Sequence, residues 1–573
     1  MRICFFISIM LLSFSIFSNE SSLLETINSH IIIEDYETAL KEAKNACEKY
    51  KSSLKLKLKY IECLALNDFE MDAIKEIKNV TDKDNQFYET LENLSWSILS
   101  KASDSLGYTT RLTALIGVHL TQDVRAVNIL NKHLLDSNAI IRSVVLQLSS
   151  SYLDKPLRDT VKKLFNEEKI WLVKLEVIKA IGKMKIYEKV ENLKDIIGSE
   201  KTTFEEKEMA TASLVNLTEN IDLKEIQILA KSSKAGLRKL ACDLVIYFNV
   251  SDAMQLIIDL AKDPITDVRI SALNAISLNF LNSIEEKNLK NILQKAAEDS
   301  NPCVAITAGY IAALKNFGFG ESILKKHIYS NDLENARFAA CVLSHLPDRC
   351  NNLKKQILSK HKDLYVKANL ALGLIAERKL LKESTEVLFG FLNLEKDKIM
   401  WEEKKNPLFQ VLFPSYIRHL DQIPRYPEAI DQMTRLHILS LLAIVDDKKA
   451  CDGIKNFLKQ KGWGITGFAS ATLLKEGDED SLNIVKQLLN EEDQDVKVQA
   501  ALVLALLGRE ESVITTLEEA YYKADYNMKV QILEAVGHIG SKKSIGFLVN
   551  ILDEPYQNLR AVAASSIIRC INS

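Results

Sequence analysis

The stretch DPITDVRISALNAI, Asp263 to Ile276, puts an apolar residue (Val268) directly before a cation (Arg269) and an alanine (Ala272) three places after it. The same signature returns along the chain. A basic or equivalent anchor falls at Arg111, Arg142, Lys174, Lys207, Arg238, Arg269, Ala305, Arg337 and Lys367, then at Arg435, Thr466, Lys497, Lys529 and Arg560, in steps mostly of 30 to 33 residues. Apolar residues precede the anchor at Ile141, Val173, Leu237, Val304, Val366, Val496 and Leu559, among others, and alanine follows it at Ala114, Ala210, Ala241, Ala308, Ala340, Ala469, Ala500 and Ala563. Three coincidences held in one phase over about 450 residues define a repeat, and a period of this size indicates stacked supersecondary units.

One unit can be read physically. AMQLIIDLA carries apolar residues at helical spacing, KDPIT is a short polar break, and a second helix runs on through Ile276. Thr266 is positioned to cap that second helix, and Asp267 lies in its first turn, where the dipole favours negative charge. Residues 268, 272, 273 and 276 share one face, expected to be buried. The recurrent alanine lets two helices approach to the close end of the ~8 to 10 Å range. The chain is therefore expected to be all-α, an α-solenoid of stacked antiparallel helical hairpins whose groove is lined mainly by the second helices.

An apolar residue, then Arg or Lys, then Ala, after a break opened by Asp, resembles the HEAT repeat, in particular the short form found in bilin-lyase-like proteins. The resemblance covers roughly residues 100 to 573. It implies that the anchors Arg111, Arg142, Lys174, Arg238, Arg269, Arg337, Lys367, Arg435, Lys497, Lys529 and Arg560 are structural and knit adjacent units through acids and backbone carbonyls. Asp136, Asp263 and Glu491, each six residues before an anchor, fit such a ladder. The front segment differs. EDYETALKEAKNACEKY and NDFEMDAIKEIKNV align Tyr36 with Phe69 and Ala39 with Ala73, a spacing that resembles the tetratricopeptide repeat. The lysines of KYKSSLKLKLKY within it are read as a solvated helix face.

MRICFFISIMLLSFSIFSNE has one cation, a short apolar run from Ile3 to Phe17 and then small and polar residues, the pattern of a secretory signal peptide with cleavage expected after Ser18. The run is shorter than the ~20 residues a membrane-spanning helix needs. The expected organisation is thus a signal peptide at 1–18, a tetratricopeptide-like segment at 19–100 and a HEAT-like solenoid at 101–573. An exported protein, periplasmic or secreted and associated with a bacterial envelope, is expected, with no stable membrane span after cleavage. The cysteines left after Cys4 form no CxxC pair, and Cys242 and Cys341 sit where other units carry small apolar residues, so buried thiols are the expectation. Cys341 and Cys350 are the one pair close in sequence, and disulfide formation stays open.

Between Lys367 and Arg435 the step doubles to 68, and four of the nine prolines, Pro407, Pro414, Pro424 and Pro427, fall within it. This irregular unit, at about 395–432, gathers Trp401, Phe409, Phe413, Tyr416, Arg418, Arg425 and Tyr426. Aromatic and arginine side chains on an irregular loop suit a binding hot spot. They equally suit the filling of a gap in a broken repeat. Trp401, Phe413, Tyr416, Arg418, Arg425, Tyr426 and, on the turn GWGITG, Trp463 are the candidate partner-binding residues.

Chemistry finds no foothold. None of the nine histidines is followed by glutamate, so the His-Glu pairs of HEAT-type deoxyhypusine hydroxylases and the zinc motif HExxH are both missing from the sequence. FGFGES lacks a third spaced glycine and reads as a helix-end turn. With 74 basic against 77 acidic residues, no overall field draws the chain to nucleic acid. The expectation is a non-catalytic scaffold or assembly factor that binds protein partners along a solenoid groove, with no cofactor and no metal. An accessory subunit of an envelope enzyme or secretion complex is the alternative, and a HEAT-type lyase a more distant one.

Overall fold

The computed structural model describes residues 20–81, 84–346, 349–392, 399–402, 406–414 and 494–573, with a few isolated positions between 434 and 492. These residues are almost wholly helical. The architecture is carried by α1 (Asn85–Ser103), α2 (Tyr108–Leu120), α3 (Trp171–Lys183), α4 (Phe204–Leu217), α5 (Ala235–Phe248), α6 (Thr266–Ala275), α7 (Pro302–Leu314), α8 (Leu333–Ser344), α9 (Leu364–Ala376) and α10 (Gln557–Ile571). All except α1 carry or align with a repeat anchor, and another helix, mostly a shorter one such as Met254–Leu260, precedes each of α3 to α10; for α2 a shorter one follows.

Local sequence sets the helix starts. Asn301 accepts from the Cys303 amide ahead of Pro302, whose missing N–H costs nothing in the first turn. Asp363 accepts from the Val366 amide, and Thr203 with Glu206 forms a full capping box. At α6 the expectation needs correction. Thr266 is already helical and Ile265 stands at the cap without a side-chain bond, while the Asp263 carboxylate accepts the Ile265 amide. The break is therefore an Asx-type turn, with Asp267 in the first turn of the helix as read.

The helices form two compact units, one of residues up to Thr160 together with Leu504–Ser573, the other Val161–Val503. In the first unit the end of the chain packs on its beginning. The terminal helix α10 lies against both α1 and α2. Ser565 Oγ donates to the Gly117 carbonyl (2.8 Å), Thr110 Oγ1 to Asn558 (2.6 Å), and Lys78 pairs with Asp553 (2.9 Å). The repeat period gives no sign of this junction. In the front segment Lys59 pairs with Glu62 and Lys57 with Glu76, so these lysines are solvated but not unpaired.

In the second unit successive second helices pack side by side, α3 on α4, α5 on α6 and α8 on α9. Their approach is close enough to dictate residue size. A Cβ at Gly182 would stand 2.5 Å from the Ser213 Cα, and Ser213 Oγ donates to the Ile178 carbonyl across the same contact (2.8 Å). Ala272, three places after the anchor of α6, is fully buried. FGFGES is explained in the same terms. A Cβ at Gly320 would stand 2.5 Å from the Ala313 nitrogen, so that glycine serves packing against α7.

The irregular unit supplies the described strands. β1 (Ile399–Glu402) and β2 (Val411–Pro414) form an antiparallel hairpin pairing Ile399 with Pro414 and Glu402 with Val411. β2 rests on α8 and α9.

Enlarging a residue at these contacts must push helices apart. Ala272→Leu and Gly182→Ala are each expected to lower stability by about 1 to 3 kcal/mol, read from the midpoint of urea unfolding of the full chain; an unchanged midpoint would contradict this packing.

Candidate protein-interaction groove

In several units the anchors form a ladder of one geometry. Arg238 donates through Nε and Nη2 to the Asp263 carboxylate (2.6 and 2.9 Å), 25 residues ahead. Arg269 donates to the Asp263 carbonyl (2.8 Å) and reaches on to Asp299. Asp263 is thus held through its side chain by the preceding unit and through its main chain by its own. Asp136 is held likewise by Arg111 (3.0 Å) and Arg142 (2.8 Å), and Glu554 by Lys529 and Arg560. Arg337 pairs with Asp363, Lys174 with Glu206, and Arg435 donates to the Leu392 carbonyl. Glu491 lies outside the described residues.

Burial opposes the charge on Asp263, yet the Arg238 guanidinium and the Ile265 amide outweigh it and hold the carboxyl below the usual carboxylate range. Asp363 is lowered in the same way by Arg337 and the Val366 amide.

Helix α5 is buried only in part, whereas α6 to α9 are buried on nearly every side. In α6 the face marked by the sequence is buried, and so are Ile270 and Asn274 opposite it. From Cys303 to Ala313 in α7, Tyr310 alone is not buried, and in α8 every residue from Asn335 to Ser344 is buried. A helix apolar on all sides is one that is covered on all sides.

The cover over part of these helices is the chain's own segment 406–414. Asn406 is fully buried and exchanges side-chain amide bonds with Asn274 (both 2.9 Å) while donating to Thr307 Oγ1 (3.1 Å). Phe409 inserts among Tyr310, Phe338 and His345, with ring centroids at 5.2, 6.0 and 5.2 Å. Asn369 then pairs with the main chain of Leu412. Its Nδ2 donates to the Leu412 carbonyl (2.9 Å) and its Oδ1 accepts the Leu412 amide (2.8 Å). Cys341 Sγ donates to the Gln410 carbonyl (3.3 Å).

Of the candidate partner-binding residues, Phe413 is buried in β2 opposite Met400, and the backbone of Trp401 pairs with Leu412. Tyr416, Arg418, Arg425, Tyr426 and Trp463 lie outside the described residues. Sequence reasoning passed over Asn274, Thr307 and Asn369. The signal that could have found them is a lone amide or hydroxyl inside a helix that is otherwise apolar on every side. The described cysteines are free thiols; burial pushes Cys341 up to about 12 and keeps it protonated near neutral pH. Among the described residues no cluster of His, Cys, Asp and Glu is placed to hold a metal, and no helix is long and apolar enough to cross a membrane.

A family model described as HEAT repeats matches residues 483–568. The chain thus carries HEAT repeats over residues 483–568. No curated protein matches its sequence. Solved structures to which it is similar include yeast importin-beta (12% identity, 94% of this chain and 89% of that one, TM-score 0.37). Others are the Escherichia coli protein YibA (16%, 52% and 98%, 0.24) and human deoxyhypusine hydroxylase (14%, 44% and 96%, 0.21). Such low identities and scores carry no inference about function.

The ladder carries a pH dependence. A carboxyl with a lowered folded-state pKa contributes stability above its unfolded value, near pH 4, and loses it as pH falls through the folded value. Asp263→Asn is expected to cost about 1 to 3 kcal/mol at pH 7, with the gap to the unaltered protein narrowing below pH 4 in denaturant titrations. A gap that stays constant down to pH 2.5 would contradict the ladder.

Proposed function

We propose that the chain is an exported, non-catalytic scaffold or assembly factor of a bacterial envelope that binds protein partners along the groove of its second helices. The observation that carries this reading is the way segment 406–414 is seated. Helices α6 to α9 hold a turn and the strand that follows it by side-chain bonds, some to its main chain, and by an aromatic pocket, the kinds of contact by which a protein surface engages another protein's segment. The near balance of charge and the absence of a nucleophile, base or nucleotide motif from the sequence support binding over chemistry. Export rests on the apolar run at Ile3–Phe17 and the small residues after it. The Trp401 to Tyr426 region supplies further contact residues to the partner, with Trp463 as a second, smaller contact.

Two measurements test this. Residues 1–30 fused to alkaline phosphatase are expected to give an enzyme active only when exported; an inactive cytoplasmic fusion would refute the export signal. The tagged full chain, purified from envelope fractions, is expected to bring down stoichiometric protein partners identified by mass spectrometry. Tyr416→Ala, Arg418→Ala and Tyr426→Ala together should cut that capture severalfold with helicity unchanged, and undiminished capture would remove this region from the contact.

A further inference from the structure

The bonds to segment 406–414 differ in kind from those that hold the repeats together. Apolar residues would serve the core of α6, α7 and α9, yet each of these helices carries a buried polar residue that faces the segment, Asn274, Thr307 and Asn369. Thr307 Oγ1 and Asn369 Nδ2 also bond the Cys303 and Tyr365 carbonyls of their own helices, whereas the Asn274 side-chain amide and Asn369 Oδ1 find partners in the segment; a buried polar group left without one costs ~1 to 3 kcal/mol. Asn369 bonds to the amide and carbonyl of Leu412, atoms that every residue but proline possesses. Cys341 likewise addresses a carbonyl, that of Gln410. Side-chain selectivity enters at two points. The Asn274 and Thr307 pair accepts an asparagine amide, and the space among Tyr310, Phe338 and His345 accepts an aromatic ring.

We propose that segment 406–414 is a built-in ligand of the α6–α9 groove, and that a segment of a partner protein with the pattern Asn-x-x-Phe-x-x-aliphatic, turning at the asparagine and extended after the phenylalanine, replaces it there. The proposal rests on the scaffold reading above and specifies its partner and its control. Asn406, Phe409 and Leu412 define the pattern. Simple departure of the segment would expose Phe338 and Phe409 to water and give up the bonds to Asn274 and Asn369, so exchange for another polypeptide is favoured over an empty groove. Tethering sets the threshold. A covalently attached segment competes at an effective concentration in the mM range, so a weak free peptide is excluded, whereas a partner with contacts elsewhere on the scaffold displaces it. The apparent affinity of any peptide falls by the fraction of molecules whose groove is open, which makes the grip of Phe409 and Asn406 a control on binding.

The test uses the full chain and a fluorescein-labelled peptide of residues 404–415, KKNPLFQVLFPS, which keeps two native lysines for solubility. The N406A/F409D variant removes the amide from the polar pair and sets a carboxylate in the aromatic pocket. Anisotropy titration is expected to show the peptide binding this variant at least tenfold more tightly than the unaltered chain. Adding Asn369→Ala should weaken it at least tenfold again, as should Phe409→Ala within the peptide. A variant of unaltered helicity that binds the peptide no better than a scrambled one overturns the proposal. If the variant does not fold, amide exchange of the unaltered chain decides. Several millimolar peptide should speed exchange at the Leu408 and Leu412 amides severalfold while α8 and α9 stay protected, and unchanged exchange at those two amides overturns the proposal. Envelope partners captured by a chain that fails these tests would leave the scaffold reading standing, and peptide binding without such partners would leave the exchange standing alone.

Discussion

The aspartate that opens the turn between two helices is gripped from both sides, and the stacking depends on that grip. Asp263 receives the guanidinium of the previous unit on its carboxylate and that of its own unit on its carbonyl. A carbonyl and a carboxylate of one residue thereby fix the distance between two neighbouring second helices and their phase about their own axes. Burial alone could not do this, because apolar contact is not directional. Arg111, Asp136 and Arg142 repeat the arrangement in the first unit, so the same local solution is used in both. Small residues on the facing sides, Gly182 against Ser213 and Ala272, then let the backbones close up. Ladder and small residues are complementary: one sets direction, the other permits distance.

Fixing the phase of the helices also decides what faces inward. In α6 to α9 the side beyond the stripe packed on the neighbour meets the chain's own segment 406–414, a turn followed by strand β2. The groove so formed has two chemical characters, an apolar pocket around Phe409 and a line of amide and hydroxyl groups from Asn274 to Asn369. Together they describe a surface made to hold polypeptide.

What could be read from sequence was what repeats. The phase of the anchors and the pairing of Asp136 and Asp263 all follow from contacts spanning about one period, and a period is visible in a single chain. Thr266 was misread as a cap because Asp263, three residues earlier, reaches the Ile265 amide first, a competition that composition does not reveal. The packing of α10 on α1 and α2 joins residues some 450 apart, as between Thr110 and Asn558, and no local pattern encodes it. Asn369 could be placed on a helix but not given its task, since the Leu412 main chain that it holds belongs to a segment where the repeat breaks down. Pro407 and Pro414 lie in that segment. Its hairpin, and its position across four helices, depend on contacts that only the folded chain supplies.

The most direct test of this account is a double-mutant cycle on Arg238 and Asp263, followed by chemical unfolding of the full chain at neutral pH. If the ladder sets the stacking, the two residues should be coupled by about 1 to 2 kcal/mol, with Arg238→Met and Asp263→Asn each destabilising and the double variant losing less than their sum. Strictly additive losses, with a coupling indistinguishable from zero, would contradict it.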